Sequence, residues 1–423
     1  MPSLRLSLAA ILAGTAAAVR TPPPGGLPNY TAVRLWPNAT AVENALCLDG
    51  SPPLYYISPG WGDGADKWQL HHEGGAWCGS AEECYGWWGY RSTLVDPDVM
   101  APTAMDNMGY FNRSSETNSM YNWNFVFIRY CDGWSFATDL DQPQFITNSS
   151  GANITINFRG LAVLNAVRED LLANRGLAAA TDLVVGGCSA GGLAVFLHCD
   201  EWAARVAKAN PATNTVCLAD SGWFPLVPAT GFPSTWFNGV WQRGISLNIS
   251  SALNPACLAD NAASPWLCGM AEVAALYIST PLFLYQSQYD SFQIFNMERC
   301  IPMPPDPTSP CQNETVTIWG GNLTAKVNGW LASAKGSSSA AFVDSCYHHC
   351  GGWADFDQIK SWSGPGSSGG LTGSQAFALW RGDPKAHSGI WQQQHDYPCL
   401  GATCCGPHGP DGLSATGEGS CGG

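Results

Sequence analysis

The stretch VVGGCSAGGLAVF, residues 184–196, constrains the fold of this chain most. A β-branched apolar run ends in glycines, a serine sits among them, and a helix-favouring run begins at once. A turn that converts a strand into a helix within a few residues leaves little room for side chains, which accounts for Gly187, Gly191 and Gly192 around Ser189. Gly-x-Ser-x-Gly in a strand, turn, helix context exposes a serine nucleophile above the C-terminal edge of a parallel sheet. The same letters also occur in ordinary glycine-rich loops, so other residues must decide between the two.

The rest of the chain repeats the alternation. KWQLHHEGG (67–75) and NWNFVFIRY (122–130) read as strands ending in loops, RGLAVLNAVREDLLANRG (159–176) as an amphipathic helix closed by Gly176, and TDLVVGG (181–187) as the strand that enters the turn. STPLFLYQSQYD (279–290) reads as a later strand lying beside the nucleophile strand. Strands alternating with helices predict an α/β fold: a mostly parallel sheet flanked by helices, with functional loops at its C-terminal edge. No internal repeat divides the chain, so residues 41–423 are expected to form one domain. Its tail, YPCLGATCCGPHGPDG (397–412), reads as stapled by disulfides, and CIPMPPDPTSPC (300–311) as a proline-rich loop closed by one.

The first residues, MPSLRLSLAAILAGTAAAVR, combine an early arginine, an apolar run too short to span a bilayer and small residues, so 1–18 read as a signal peptide and 19–40 as a linker. Seventeen cysteines, spread from Cys47 to Cys421 without zinc-type pairs, read as a disulfide framework. The odd number leaves one thiol over, and Cys188 is the candidate. Eight Asn-x-Ser/Thr sequons, at Asn29, Asn38, Asn112, Asn148, Asn153, Asn248, Asn313 and Asn322, fit a glycosylated secreted protein. With 45% hydrophobic and only 12% charged residues and a net charge of −14, neither nucleic acid nor an anionic membrane is an expected partner. No anchor segment follows, and a monomer is expected.

A serine nucleophile needs a base, and the base an orienting carboxylate. Asp290 ends the 279–290 strand where such an acid belongs, although an aspartate there could instead cap the next helix. DSCYHHC (344–350) offers His348 and His349 on a loop bounded by Cys346 and Cys350. Both cannot face the serine, and His387, His395 and His408 remain competitors. HHEGGAWC (71–78) supplies Gly74, Gly75 and Ala76, and Ala190 follows the serine; their backbone N–H groups form a candidate oxyanion hole.

In this order ALCLDGSPPLYY, HHEGGAWC, MYNWNFVFIRYCDGWSF, NFRGLAVLNAVREDLLA, GGCSAGGLAVFLHCDE, TPLFLYQSQYDSFQI, DSCYHHC and YPCLGATC resemble segments of the plant pectin acetylesterase family, which also includes Notum-type lipid carboxylesterases. The resemblance implies an α/β-hydrolase-like sheet, no metal or organic cofactor, Ser189 as nucleophile, Asp290 as acid, His349 as base, and an oxyanion hole of Gly75, Ala76 and Ala190. It further implies deacetylation of a cell-wall polysaccharide, pectin by expectation, by a secreted extracellular or cell-wall enzyme. Two other readings stay open: a Notum-like enzyme that removes a fatty acyl group from a secreted protein, and an inactive glycan-binding protein on the same fold. His72, Ala76 and the CGGW after His349 depart from the family pattern. The 19 tryptophans fit either a sugar-stacking cleft or a packed core.

Overall fold

The computed structural model describes residues 29–37, 42–86, 92–94, 102, 108–114, 117–226, 232–297, 313–333, 336, 338–365, 370–397, 399 and 405. The expected leader, the 300–311 loop and most of the C-terminal tail lie outside these residues.

Among the described residues eleven strands are formed: β1 (Thr31–Arg34), β2 (Leu54–Ser58), β3 (Lys67–His72), β4 (Asn124–Ile128), β5 (Gln144–Thr147), β6 (Asn153–Ile156), β7 (Asp182–Cys188), β8 (Asn214–Asp220), β9 (Leu282–Ser287), β10 (Ala340–Asp344) and β11 (Gly389–Gln392). Nine of them make one sheet in the order β1-β2-β4-β3-β7-β8-β9-β10-β11, and β5 and β6 make a separate hairpin. The sheet is parallel from β4 through β11, while β1 and β2 extend it antiparallel. The central strands LFLYQS and AAFVD are buried along their whole length, as strands covered on both faces must be. Successive residues feed two cores: Leu183 and Val185 join one cluster and Val184 the other. Helices Gly160–Asn174 and Ala190–Ala209 cover the first face, and Gly373–Gly382 the second through Ala376, Phe377 and Trp380.

Three expectations change. Residues 31–34, placed in the linker, are the edge strand β1, because Val33 pairs with Tyr55 in register and Tyr30 packs its ring on Phe125. The strand ending toward Asp290 is not adjacent to the nucleophile strand; β8 intervenes, since its run NTVCLAD satisfies both neighbours. Cys188 is not a free thiol. It bonds Cys350, and Cys47–Cys131, Cys78–Cys84, Cys199–Cys217, Cys257–Cys268 and Cys346–Cys405 are also bridged. Ten tryptophans are buried, which favours packing over sugar stacking for them; GWWGY lies almost wholly outside the described residues. No helix among the described residues is long and apolar enough to cross a membrane.

The glycines of the turn are required by space. A Cβ on Gly191 would collide with the carbonyls of His72 and Glu73, one on Gly187 with the carbonyl of Gly191, and one on Gly192 with the carbonyl of Asp220 and the backbone of Gly222. Backbone cannot yield as a flexible side chain can, so Gly191→Ala should cost more than about 3 kcal/mol or prevent folding. Denaturant titration of the purified variant reads this directly. Thirteen cysteines, including Cys399, are disulfide-bonded, so peptide mapping without reduction should find the odd thiol on Cys300, Cys311, Cys404 or Cys421 and none on Cys188.

Candidate active site

β7 runs straight into the Ala190–Ala209 helix, and Ser189 takes up the whole change of direction with φ 59° and ψ −124°. A non-glycine residue held there costs on the order of 1–3 kcal/mol, which the surrounding packing must sustain. Its amide donates to the Asp220 carbonyl at 3.0 Å, and its own carbonyl accepts from Leu193 at 2.8 Å. Ala190, as the first helical residue, has an amide that no intrahelical carbonyl can accept.

The loop after β3 seals this turn from above. Gly74 is packed on the Cys188 carbonyl and the Ser189 Cβ so closely that no side chain fits. Ala76 adopts φ 58°, and its carbonyl accepts from the Tyr130 hydroxyl at 3.0 Å. The same hydroxyl accepts from the Ser135 amide at 2.9 Å, while the Ser135 hydroxyl donates to the Ala190 carbonyl at 2.8 Å and accepts from the Trp77 indole at 2.9 Å. Buried Glu73 completes the frame, pairing with Arg129 at 2.7 Å and accepting from the Tyr130 amide at 2.7 Å. With their carbonyls engaged by Tyr130 and Ser135, the Ala76 and Ala190 backbones are braced by one connected hydroxyl network. Tyr130 and Ser135 were missed by the sequence reading, although both lie in a quoted segment; nothing in their letters tells a hydroxyl brace from core packing.

Asp290 both caps a helix and meets a histidine. One carboxylate oxygen accepts from the Gln293 amide at 3.0 Å, capping helix Ser291–Met297, and the other lies 2.8 Å from His349 Nδ1 and 3.0 Å from Gln286 Nε2. The far nitrogen of His349, Nε2, is buried and has no hydrogen-bond partner. Its ring stacks on Phe292 with centroids 5.2 Å apart, and Phe224 meets it edge-on at 6.4 Å. Behind these rings Trp77 interlocks with Phe224 and Phe237 at 4.8 and 5.2 Å.

His348 points away from Asp290. Its ring is buried between Asp344, 3.1 Å from Nε2, and Asp355, 3.5 Å from Nδ1. Burial alone would lower its pKa, but the charge and hydrogen bond of Asp344, with Asp355 beside it, hold it well above the usual histidine value. Of the competitors, His395 packs its ring on Trp362 at 3.9 Å, the His387 amide donates to the Asp383 carbonyl, and His408 lies outside the described residues. Asp220, at the end of β8, is fully buried; burial raises its pKa to about 7 despite hydrogen bonds from Tyr110 and Ser221.

Among the described residues, the one cluster with metal-ligand spacing is Cys188, His349 and Cys350, whose donor atoms lie within 4.8 Å of one another. Both sulfurs are consumed in the Cys188–Cys350 bridge, so this donor set does not fit a metal.

The Pectinacetylesterase family model matches residues 29–404. The chain belongs to the pectinacetylesterase family. It is similar to pectin acetylesterase 11 of Arabidopsis thaliana, 29% identical over 77% of this chain and 81% of that one. It is also similar to the human palmitoleoyl-protein carboxylesterase Notum, 34% identical over 43% of this chain and 34% of that one. Among solved structures, the Wnt deacylase Notum from Drosophila shares the fold with a TM-score of 0.67 at 23% identity, over 89% of this chain and 99% of that one. These relatives make it a carboxylic ester hydrolase with an α/β-hydrolase-like fold.

Two departures from the pectinacetylesterase pattern have a packing explanation. His72 donates from Nδ1 to the Gly186 carbonyl at 2.8 Å and accepts at Nε2 from the Trp202 indole at 3.1 Å, a fully satisfied neutral ring whose pKa burial lowers to about 4. In CGGW, Gly351 lies against the His348 ring and Gly352 against Tyr110 and Asp220, where no Cβ fits.

His348, with its folded pKa raised, contributes stability that is complete below the unfolded value near 6.5 and is lost as pH rises through the folded value. His348→Ala leaves two buried carboxylates without their cation and should cost about 3 kcal/mol at pH 6, with the gap to the parent narrowing toward alkaline pH. Urea unfolding at a series of pH values checks both sign and size. Turnover at 25 °C should fall about tenfold or less, through a loosened loop.

Proposed function

We propose that the chain is a secreted serine carboxylesterase that removes acetyl groups from a cell-wall polysaccharide, pectin by family expectation. The observation that carries this reading is the pairing of His349 Nδ1 with Asp290, which leaves a buried, unpartnered Nε2 on a loop bonded through Cys350 to the residue before a positive-φ serine.

His349 Nε2 takes the Ser189 hydroxyl proton as Oγ bonds the acetyl carbonyl carbon. The carbonyl oxygen becomes an oxyanion facing the amides of Gly75, Ala76 and Ala190. The bond from that carbon to the sugar oxygen then breaks, and His349 returns the proton to the departing alkoxide. Water, deprotonated by the same nitrogen, attacks the acetyl-enzyme and releases acetate and free Ser189. Asp290 keeps the imidazole in the tautomer with Nδ1–H and stabilises its cation.

The aromatic wall beside His349 supports a short acyl group over a fatty one. Phe224 and Phe237 are fully buried and interlocked with Trp77, so the wall is made of closely packed rings. The N-terminal leader, a single domain that includes the edge strand β1, and glycosylation belong to the same proposal. The sequons at Asn29, Asn153, Asn248, Asn313 and Asn322 are exposed, as carrying a glycan requires.

Acetate release from a panel of acetylated polysaccharides, with acyl-length dependence on small esters, tests the substrate. Rates that rise from acetyl to long acyl chains would favour the Notum-like alternative. Ser189→Ala should lower turnover about 10⁴- to 10⁶-fold with the fold intact, and His349→Ala by a comparable factor. The double variant should lose little more, because members of a triad act as a unit.

A further inference from the structure

Resting on the proposed Ser189 and His349 roles, we infer that the Cys188–Cys350 disulfide is a positioning element of the active site, which sets the distance between nucleophile and base, and that turnover depends on its being closed. Asp290 fixes the angle and tautomer of the imidazole but does not touch the nucleophile turn. Ser189 leaves the sheet at the end of β7 and His349 follows β10, with β8 and β9 between them. At about 4.8 Å per strand the two loops start roughly 14 Å apart, so the base loop must fold back across two strands to bring Nε2 to Oγ.

The bridge holds that reach. Its Cα atoms are 5.7 Å apart, and each cysteine is the direct chain neighbour of a reacting residue: Cys188 precedes Ser189 and Cys350 follows His349. Both sulfurs lie within 4.8 Å of a His349 ring nitrogen, and both cysteines are buried. The bridge joins positions 162 residues apart, unlike the local clasps Cys78–Cys84 and Cys257–Cys268, which span 6 and 11. Cys350 is held at φ 60°, a left-handed conformation for a non-glycine residue, with its amide donating to Ser221 Oγ at 2.9 Å. A loop kept in that conformation and tied to the turn has one placement for His349. Without the tie it keeps Asp290 but gains freedom along the line toward Ser189, where a misplacement of about 1 Å costs on the order of 10²-fold in rate.

The test compares three proteins on a small acetyl ester: Cys188→Ser/Cys350→Ser, the control Cys257→Ser/Cys268→Ser, and Ser189→Ala. The first should lose about 10²-fold in kcat, with KM within about threefold and a matching fall in the rate of acyl-enzyme formation, at temperatures well below its Tm. The control should lower Tm with kcat within about twofold of the parent, since its bridge ties two short helices, Pro255–Asp260 and Pro265–Gly269, and neither cysteine is a chain neighbour of a reacting residue. A folded bridgeless protein with kcat within about threefold of the parent overturns the inference, as does a control that loses as much. A bridgeless variant that fails to fold is replaced by Cys188→Ala/Cys350→Gly, in which glycine relieves the left-handed backbone. The parent is also titrated with a phosphine reductant, bridge opening being followed by mass spectrometry. Turnover that falls with the closed fraction and returns on reoxidation supports the inference; full turnover with the bridge open overturns it. Activity in Ser189→Ala would instead remove the underlying triad reading, so the two failures are distinguishable.

Discussion

The whole site rests on how closely backbone meets backbone at the nucleophile turn. Gly187, Gly191 and Gly192 let the Ala190–Ala209 helix settle against the carbonyls that end β3 and β8, with no side chain between. That contact aims the helix N-terminus across the C-terminal edge of the sheet, where Gly74 packs on Ser189. A single methyl group at these positions would lift the helix, and with it the serine and the Ala190 amide, off the strands that position them. The strain at Ser189 and Ala76 survives because these contacts leave the chain no relaxed alternative.

Two histidines adjacent in sequence are sorted into different chemistry by their carboxylate partners. His349 meets one carboxylate through Nδ1 and keeps Nε2 open; His348 lies between two carboxylates with both nitrogens engaged. The first arrangement suits a ring that must gain and lose a proton, and the second holds a proton in place. The two carboxylate contacts of His348 anchor the loop on which His349 is presented.

What the letters disclosed was the part fixed by local pattern. The strand, turn and helix around Ser189, the glycine loop after β3 and the late strand leading to Asp290 all follow from short-range spacing. The choice of His349 over His348 came from family resemblance, since spacing cannot say which of two neighbours faces a strand more than 50 residues away; the 2.8 Å contact with Asp290 gives it a geometric basis. What stayed illegible was long-range: the intervening β8, the capture of residues 31–34 as an edge strand, and the partner of Cys188. Odd-cysteine counting pointed to Cys188 because it lies beside the serine in a buried strand end. The same burial is what puts it against Cys350.

The length of chain enclosed by that bridge has a consequence for how the molecule comes into being. Cys199 and Cys217, 18 residues apart, can pair as soon as their helix and strand collapse, but Cys188 must wait for a partner 162 residues downstream. At ordinary synthesis rates that wait is on the order of ten to thirty seconds, during which an unpaired thiol sits beside the future nucleophile. A chain interrupted before His349 lacks Cys350 as well, so it carries an unpaired Cys188 and, on the proposed roles, no proton acceptor for its serine. On the proposed roles, the bridge and the base therefore arrive together, and a nascent molecule stays inactive until Cys350 has been made.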